Sequence, residues 1–240
     1  MALIHHPGVR RRFAPWPNAW LLAVAGGLVV AVIVVIATAG RLQAPPASST
    51  GGSGVSMTDH REVAPFARVE LAGANTVVIH VGAPLSVAVT GDDDLVGRVT
   101  TVVRAGRLVI DNTGSFTTKA PMQVAVSVPS LDGVELSGAG TVTVDGVTAA
   151  DFSAELVGDG TLVVSGAVQR VSAVLAGAGT LDLHDLVATD CTAQLQGTGT
   201  IRVQATSTLD ATLTGTGTIL YRGDPTVTMR NTGTGTVVPE

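Results

Sequence analysis

One short motif, leucine, any residue, Gly-x-Gly-Thr, aliphatic, returns six times in the second half of this 240-residue chain. The copies run Leu136 to Val142, Leu156 to Leu162, Leu175 to Leu181, Leu195 to Ile201 and Leu213 to Ile219, and the last, Asn231 to Val237, puts Asn in the leucine position. The first glycines stand at 138, 158, 177, 197, 215 and 233, so the intervals are 20, 19, 20, 18 and 18 residues. That period is too short for a helical-hairpin repeat or a propeller blade and suits one coil of a β-solenoid.

Side-chain parity agrees. Alternate residues of a strand share a face. Val134, Leu136, Val142 and Val144 fall on one parity, as do Leu175, Leu181 and Leu183, and Leu195, Ile201 and Val203. Stacked coils would turn these columns inward. The other parity carries Glu135, Thr141 and Thr143, then Thr180, Asp182 and His184, then Gln194, Gln196, Thr200 and Arg202, which face water. The glycines share the inward parity and mark a bend where no side chain fits. The threonines at 141, 161, 180, 200, 218 and 236 form a ladder up one corner.

Ahead of the repeats, residues 64–131 alternate less regularly. Thr76 to Val81, Leu85 to Val89, Gly106 to Asp111 and Met122 to Val128 read as strands broken by Gly82, Gly91 to Asp94, Gly114 and Pro129. We expect early, wider coils of the same solenoid, with a separate small sandwich as the alternative. The expected fold is all-β: a right-handed parallel β-helix (β-solenoid) of about 18–20 residues per coil over 64–240.

From Trp20 to Ala39 the chain has twenty residues and no charge. As a helix this spans about 30 Å, the thickness of a bilayer's hydrocarbon core. Arg10, Arg11 and Arg12 precede it and Arg41 follows, a bias that keeps the N-terminus cytoplasmic. The sequence therefore predicts a short cytoplasmic tail (1–18) and one N-terminal transmembrane helix or signal segment (19–40). A flexible Pro/Ser/Gly linker (41–63) and the extracytoplasmic solenoid follow. Ala37-Thr38-Ala39 also fits a signal-peptidase site, so secretion after cleavage is the alternative.

From Asp59 onward the chain carries 19 acids and 10 bases and no basic stripe, which argues against nucleic acid as a partner. The single cysteine, Cys191, forbids an internal disulfide and lacks the cationic neighbours of a reactive thiol. Only Asp159 places an acid inside a Gly-x-Gly motif, so the repeated carboxylates of a calcium-binding β-roll are missing. Asp92, Asp93 and Asp94 read as a solvated turn, and His80 and the group Asp182, His184 and Asp185 as surface. No Gly-x-Ser-x-Gly elbow, Walker lysine or zinc spacing occurs. We therefore expect no catalytic, cofactor-binding or metal site, and no cofactor; the ligand-binding residues are unknown from sequence.

Phe66 to Leu71, Ala105 to Ile110, Val126-Ser-Val-Pro-Ser-Leu131 and the serial Gly-x-Gly copies together resemble the head GIN domain family of "putative auto-transporter adhesins" over about residues 64–238. The resemblance implies a parallel β-helix of bacterial envelope proteins without assigned catalytic residues or a settled ligand. This chain departs from the family by placing Thr where Asp or Asn often follows the second glycine. The expected role is a non-enzymatic module anchored at the membrane for adhesion, binding or structure, with cell-wall glycans or envelope proteins as partners. A self-assembling homo-oligomeric scaffold is the alternative, followed by a polysaccharide-active β-helix enzyme.

Overall fold

A computed structural model describes residues 50–240. The apolar stretch and the first part of the linker lie outside them. Among the described residues no helix is long and apolar enough to cross a membrane.

The repeats form five stacked coils in one continuous sheet. Strands Thr141–Gly158, Thr161–Gly177, Thr180–Gly197 and Thr200–Gly215 each run most of a coil and pair in parallel with the next. The register is the one the motif demands: Leu136, Leu156, Leu175, Leu195 and Leu213 stand over one another. All five are fully buried. Valine, isoleucine and alanine columns fill the rest of the interior, so the coils below the last strand hide their aliphatic parity and wet the other.

Both glycines of the motif are needed because coils approach most closely there. Gly177 holds φ +138, open to glycine alone in practice, and its peptide lies against the carbonyl of Gly158 below. A Cβ on Gly179 would sit 2.5 Å from the Gly160 carbonyl oxygen and 2.8 Å from Leu156 Cδ2. The leucine of one coil thus tucks under the second glycine of the next. Corner amides close the bend between coils: Gly179 N–H donates to Gly158 O (3.0 Å) and Thr180 N–H to Gly160 O (3.0 Å).

The uneven period has a local cause. Register shifts occur at Val144/Val147, Val163/Ser165, Leu183/Val187 and Ala188/Asp190. Every added or lost residue is therefore absorbed as a bulge in the stretch after the Thr-aliphatic strand, and the Gly-x-Gly corner keeps strict register. The threonine ladder runs Thr76, Thr141, Thr161, Thr180, Thr200, Thr218, Thr236. A hydroxyl–hydroxyl bond between coils lies on the other side of the Gly-x-Gly bend from this ladder, Thr214 to Thr232 at 3.3 Å.

Residues 64–131 are only partly the wider coils expected. Arg68–Gly73 and Thr76–Val81 form a true coil beneath Gly133–Gly138 and Thr141–Asp145. Beneath that lie Arg107–Asn112 and Gln123–Val128, still parallel. The outermost strands are antiparallel. Val99–Arg104 pairs with Arg107–Asn112 through a two-residue turn in which Ala105 (φ 49) and Gly106 (φ 75) are both left-handed. On the other side Ser86–Asp92 pairs with Gln123–Val128, and Ser56–Arg61 with Ser86–Asp92. These strands cap the stack and do not form a separate sandwich.

Two expectations therefore need correction. The linker, placed at 41–63, is paired chain from Thr50: Thr50–Gly51 joins Phe116–Thr117, and Ser56–Arg61 is a full strand. Asp92 is not a solvated turn but has no exposed surface. Its carboxylate accepts from the amides of Gly54, Lys119 (2.9 Å) and Ala120, which take the place of water on its oxygens and strap these segments together. Burial alone would raise its pKa, but those amides and the Lys119 charge hold it below the ordinary carboxylate value. Gly52 is obligatory beside it, since a Cβ there would lie 2.5 Å from the carboxylate carbon.

Candidate functional site

Strand pairing lines up one outward face of the solenoid across many coils, and a groove of ≈ 670 Å³ lies on it. Arg68, Asp132, Asp151, Ser153, Arg170 and Thr192 are among its walls. Gly133 lies beside it, in a second hollow that shares Arg68 and Ser153 with the groove. In the column Arg68, Gly133, Ser153, Ser172, Thr192 it alone lacks a side chain, and a Cβ there would be 2.9 Å from Ser153 O. That hollow, of ≈ 30 Å³, opens at this point between Arg68, Arg107, Glu135 and Glu155, enough for a water or one small polar group.

Charges of both signs edge the groove. Arg170 grips Asp151 with two bonds, Nε to Oδ1 at 2.5 Å and Nη2 to Oδ2 at 2.7 Å, which lower the Asp151 pKa and raise that of Arg170. One column along the same outward face, Glu70, Glu135 and Glu155 stand on successive coils. Arg107 Nη1 bridges Glu70 (3.0 Å) and Glu135 (2.6 Å). Burial and the neighbouring carboxylates still leave Glu135 with a raised pKa, because Arg107 offsets them only in part. Arg68 and Glu155 make no ion pair among the described residues. The groove and the hollow beside it thus offer the guanidinium of Arg68 and the carboxylates of Asp132 and Glu155, none of them in an ion pair among the described residues, with the Arg170–Asp151 pair pre-set between coils.

The other candidates fall elsewhere. His80 Nδ1 meets Asp145 Oδ2 at 2.7 Å on a half-exposed face. His184 is brought between Asp182 (3.6 Å) and Asp185 (3.1 Å), and Arg202 reaches Asp182 at 3.5 Å, a surface charge network. Asp159 is exposed at its corner. Cys191 is buried, and desolvation pushes its thiol up to about 12, so it packs as a small apolar side chain. Among the described residues no group of three His, Cys, Asp or Glu is set to hold a metal. Sequence reasoning passed over Arg68, Gly133, Asp151 and Arg170. Gly133 carried the available signal, being a glycine in a strand where later coils have Ser or Thr.

The family described as "Putative auto-transporter adhesin, head GIN domain" matches residues 65–225. Among solved structures, a putative adhesin from Bacteroides fragilis is 22% identical with a TM-score of 0.65, covering 80% of this chain and 100% of its own. A putative adhesin from Parabacteroides distasonis is 19% identical with a TM-score of 0.53 over 80% and 100%. A putative lipid binding protein from the same species is 19% identical with a TM-score of 0.52 over 80% and 99%. At these identities the likeness is one of fold. No curated protein matches the sequence.

Proposed function

The chain belongs to the head GIN domain family of "putative auto-transporter adhesins", and from that premise we propose a non-enzymatic binding module, anchored by residues 19–40 and displayed outside the cytoplasmic membrane. Its occupant is a polar cell-wall polymer that carries both acidic and amino groups. The observation that carries this reading is the groove of mixed charge beside Gly133. Its floor is backbone and small side chains, and Phe152, the aromatic residue closest to it, is 3% exposed. Sugar rings therefore have no stacking platform, and recognition falls to ion pairs with the polymer's charged substituents. Arg68 takes a carboxylate and Glu155 an ammonium, at spacings set by the roughly 4.8 Å between coils.

The lipid binding named for one neighbour finds no support in the interior, whose leucine columns are fully buried. The test is retention of the full-length chain on isolated cell-wall preparations over a range of salt. We expect retention that weakens as salt rises. Arg68→Glu should reduce it about tenfold, while Arg222→Glu, at an exposed site away from the groove, should not. No retention at any salt, or equal loss with both variants, overturns the reading.

A further inference from the structure

The last coil ends on a bare strand. Thr226–Asn231 pairs with Thr208–Leu213 on one side only, and all six of its residues are exposed. Val227 (36% exposed) and Met229 (55%) continue the inward columns of Leu209 and Ala211, which the coil before keeps buried. Such an edge presents unpaired amides and carbonyls beside uncovered apolar side chains.

The leucine column is treated differently. In earlier coils each leucine lies under the second glycine of the next coil. Here Asn231 takes its place and satisfies its own corner, with Nδ2 donating to Gly235 O (2.8 Å) and Oδ1 accepting from Gly233 N–H (2.9 Å). The Gly-x-Gly corner is thereby closed to a further parallel coil. At the far end of the stack the outer strands are antiparallel and bear Asp59, His60, Arg61 and Arg104. Head-to-tail stacking of copies is disfavoured at both surfaces.

We propose that this edge pairs with the same edge of a second copy, antiparallel, about a two-fold axis through Thr228. Residues opposite each other in an antiparallel pair share a face. The axis sets Thr228 against its own counterpart, Val227 against the second copy's Met229, and Thr226 against the second copy's Arg230. The two exposed apolar residues cover each other on the inner side. Arg230 then lies diagonally across from the second copy's Asp224, within reach of a long side chain. Neither Asp224 nor Arg230 has an ion pair among the described residues, and the symmetry supplies both contacts at once. Thr50 belongs to the capped end, so the two-fold places the two Thr50 residues at opposite ends of the dimer. Joined this way, two copies bridge two surfaces. The pairing does not depend on the groove.

Sedimentation velocity of the full-length chain in detergent, from about 1 to 500 μM, tests it. The expected result is a concentration-dependent dimer. Arg230→Asp and Asp224→Arg should each raise the dissociation constant about tenfold or more, since an attraction becomes a repulsion twice. The double variant Arg230→Asp with Asp224→Arg should return to within about threefold of the original. Both altered positions are exposed, and an unaltered unfolding midpoint will verify that the variants fold. A monomer throughout, a dimer indifferent to either single variant, or a double variant that fails to recover overturns the proposal.

Discussion

The two ends of this solenoid are built by opposite rules. At the first coil, chain outside the repeat runs back antiparallel, and the corner is closed by a reciprocal amide pair, Asn75 Nδ2 to Asn112 Oδ1 at 2.8 Å and Asn112 Nδ2 to Asn75 Oδ1 at 3.2 Å. At the last coil only one side chain, Asn231, is committed to closure and the strand beside it is bare. Between them lies a region where each coil is both floor and roof. The contrast is one of closure: the repeats share aliphatic columns from coil to coil, whereas the cap adds to its own buried aliphatic residues, such as Val89, Val99 and Ile110, a few buried polar bonds that tie non-repeating segments together.

The largest effect should come from breaking a column. Leu175→Asp buries an unpaired charge among Leu156, Leu195 and Gly199, where no polar partner exists, and should cost more than about 4 kcal/mol. Because coils contact only their neighbours, the loss should spread through adjacent coils before it reaches the cap. Val157→Asp, on the outward parity and 41% exposed, should cost no more than about 0.5 kcal/mol. Urea unfolding of the two variants decides; similar losses would mean that the inward and outward parities are misassigned.

A smaller, local effect should follow at the cap. Asp92→Asn keeps the shape but turns an NH2 toward amides that need an acceptor. Hydrogen exchange at Gly54, Lys119 and Ala120 should quicken by about tenfold or more, with the coils around Leu175 unchanged. The acid response has a definite sign. With its folded pKa below the ordinary 3.8, Asp92 contributes stability that is complete above that value and lost as pH falls through the lowered one. Loosening of residues 50–55 should therefore begin below pH 3.8 in the native chain and be absent as a pH-dependent step in Asp92→Asn. Equal exchange across the whole domain would show that no separate strap exists.

How much of this was legible depended on whether a residue's neighbour lay one period away. The leucine, glycine and threonine columns follow from spacing alone, because each meets its own kind on the next coil. The first copy, Leu71-Ala-Gly-Ala-Asn-Thr-Val77, escaped notice because Asn75 replaces the second glycine and 65 residues separate Gly73 from Gly138. The substitution is possible for a physical reason. The position under Asn75 holds the Asn112 side chain, whereas later corners meet a carbonyl and a leucine tip. Asp92 was misread because its partners at 54, 119 and 120 share no period with it. The groove was missed on similar grounds, since the hollow that adjoins it opens where Gly133 interrupts a column and Arg68 and Ser153 share its wall.

The threonine ladder offers the finest test of the same distinction between column and cap. Thr180 is half-buried between Thr161 and Thr200, and its backbone amide, not its hydroxyl, makes the bond recorded to the coil below. Thr180→Ser removes one methyl group and keeps the hydroxyl. A fully buried methylene is worth about 0.8 kcal/mol, so half-burial suggests a loss of about 0.4 kcal/mol. A loss above about 1.5 kcal/mol would mean that the methyls pack as tightly as the interior leucines. In that case the corner, not only the dry centre, would be holding the coils in register.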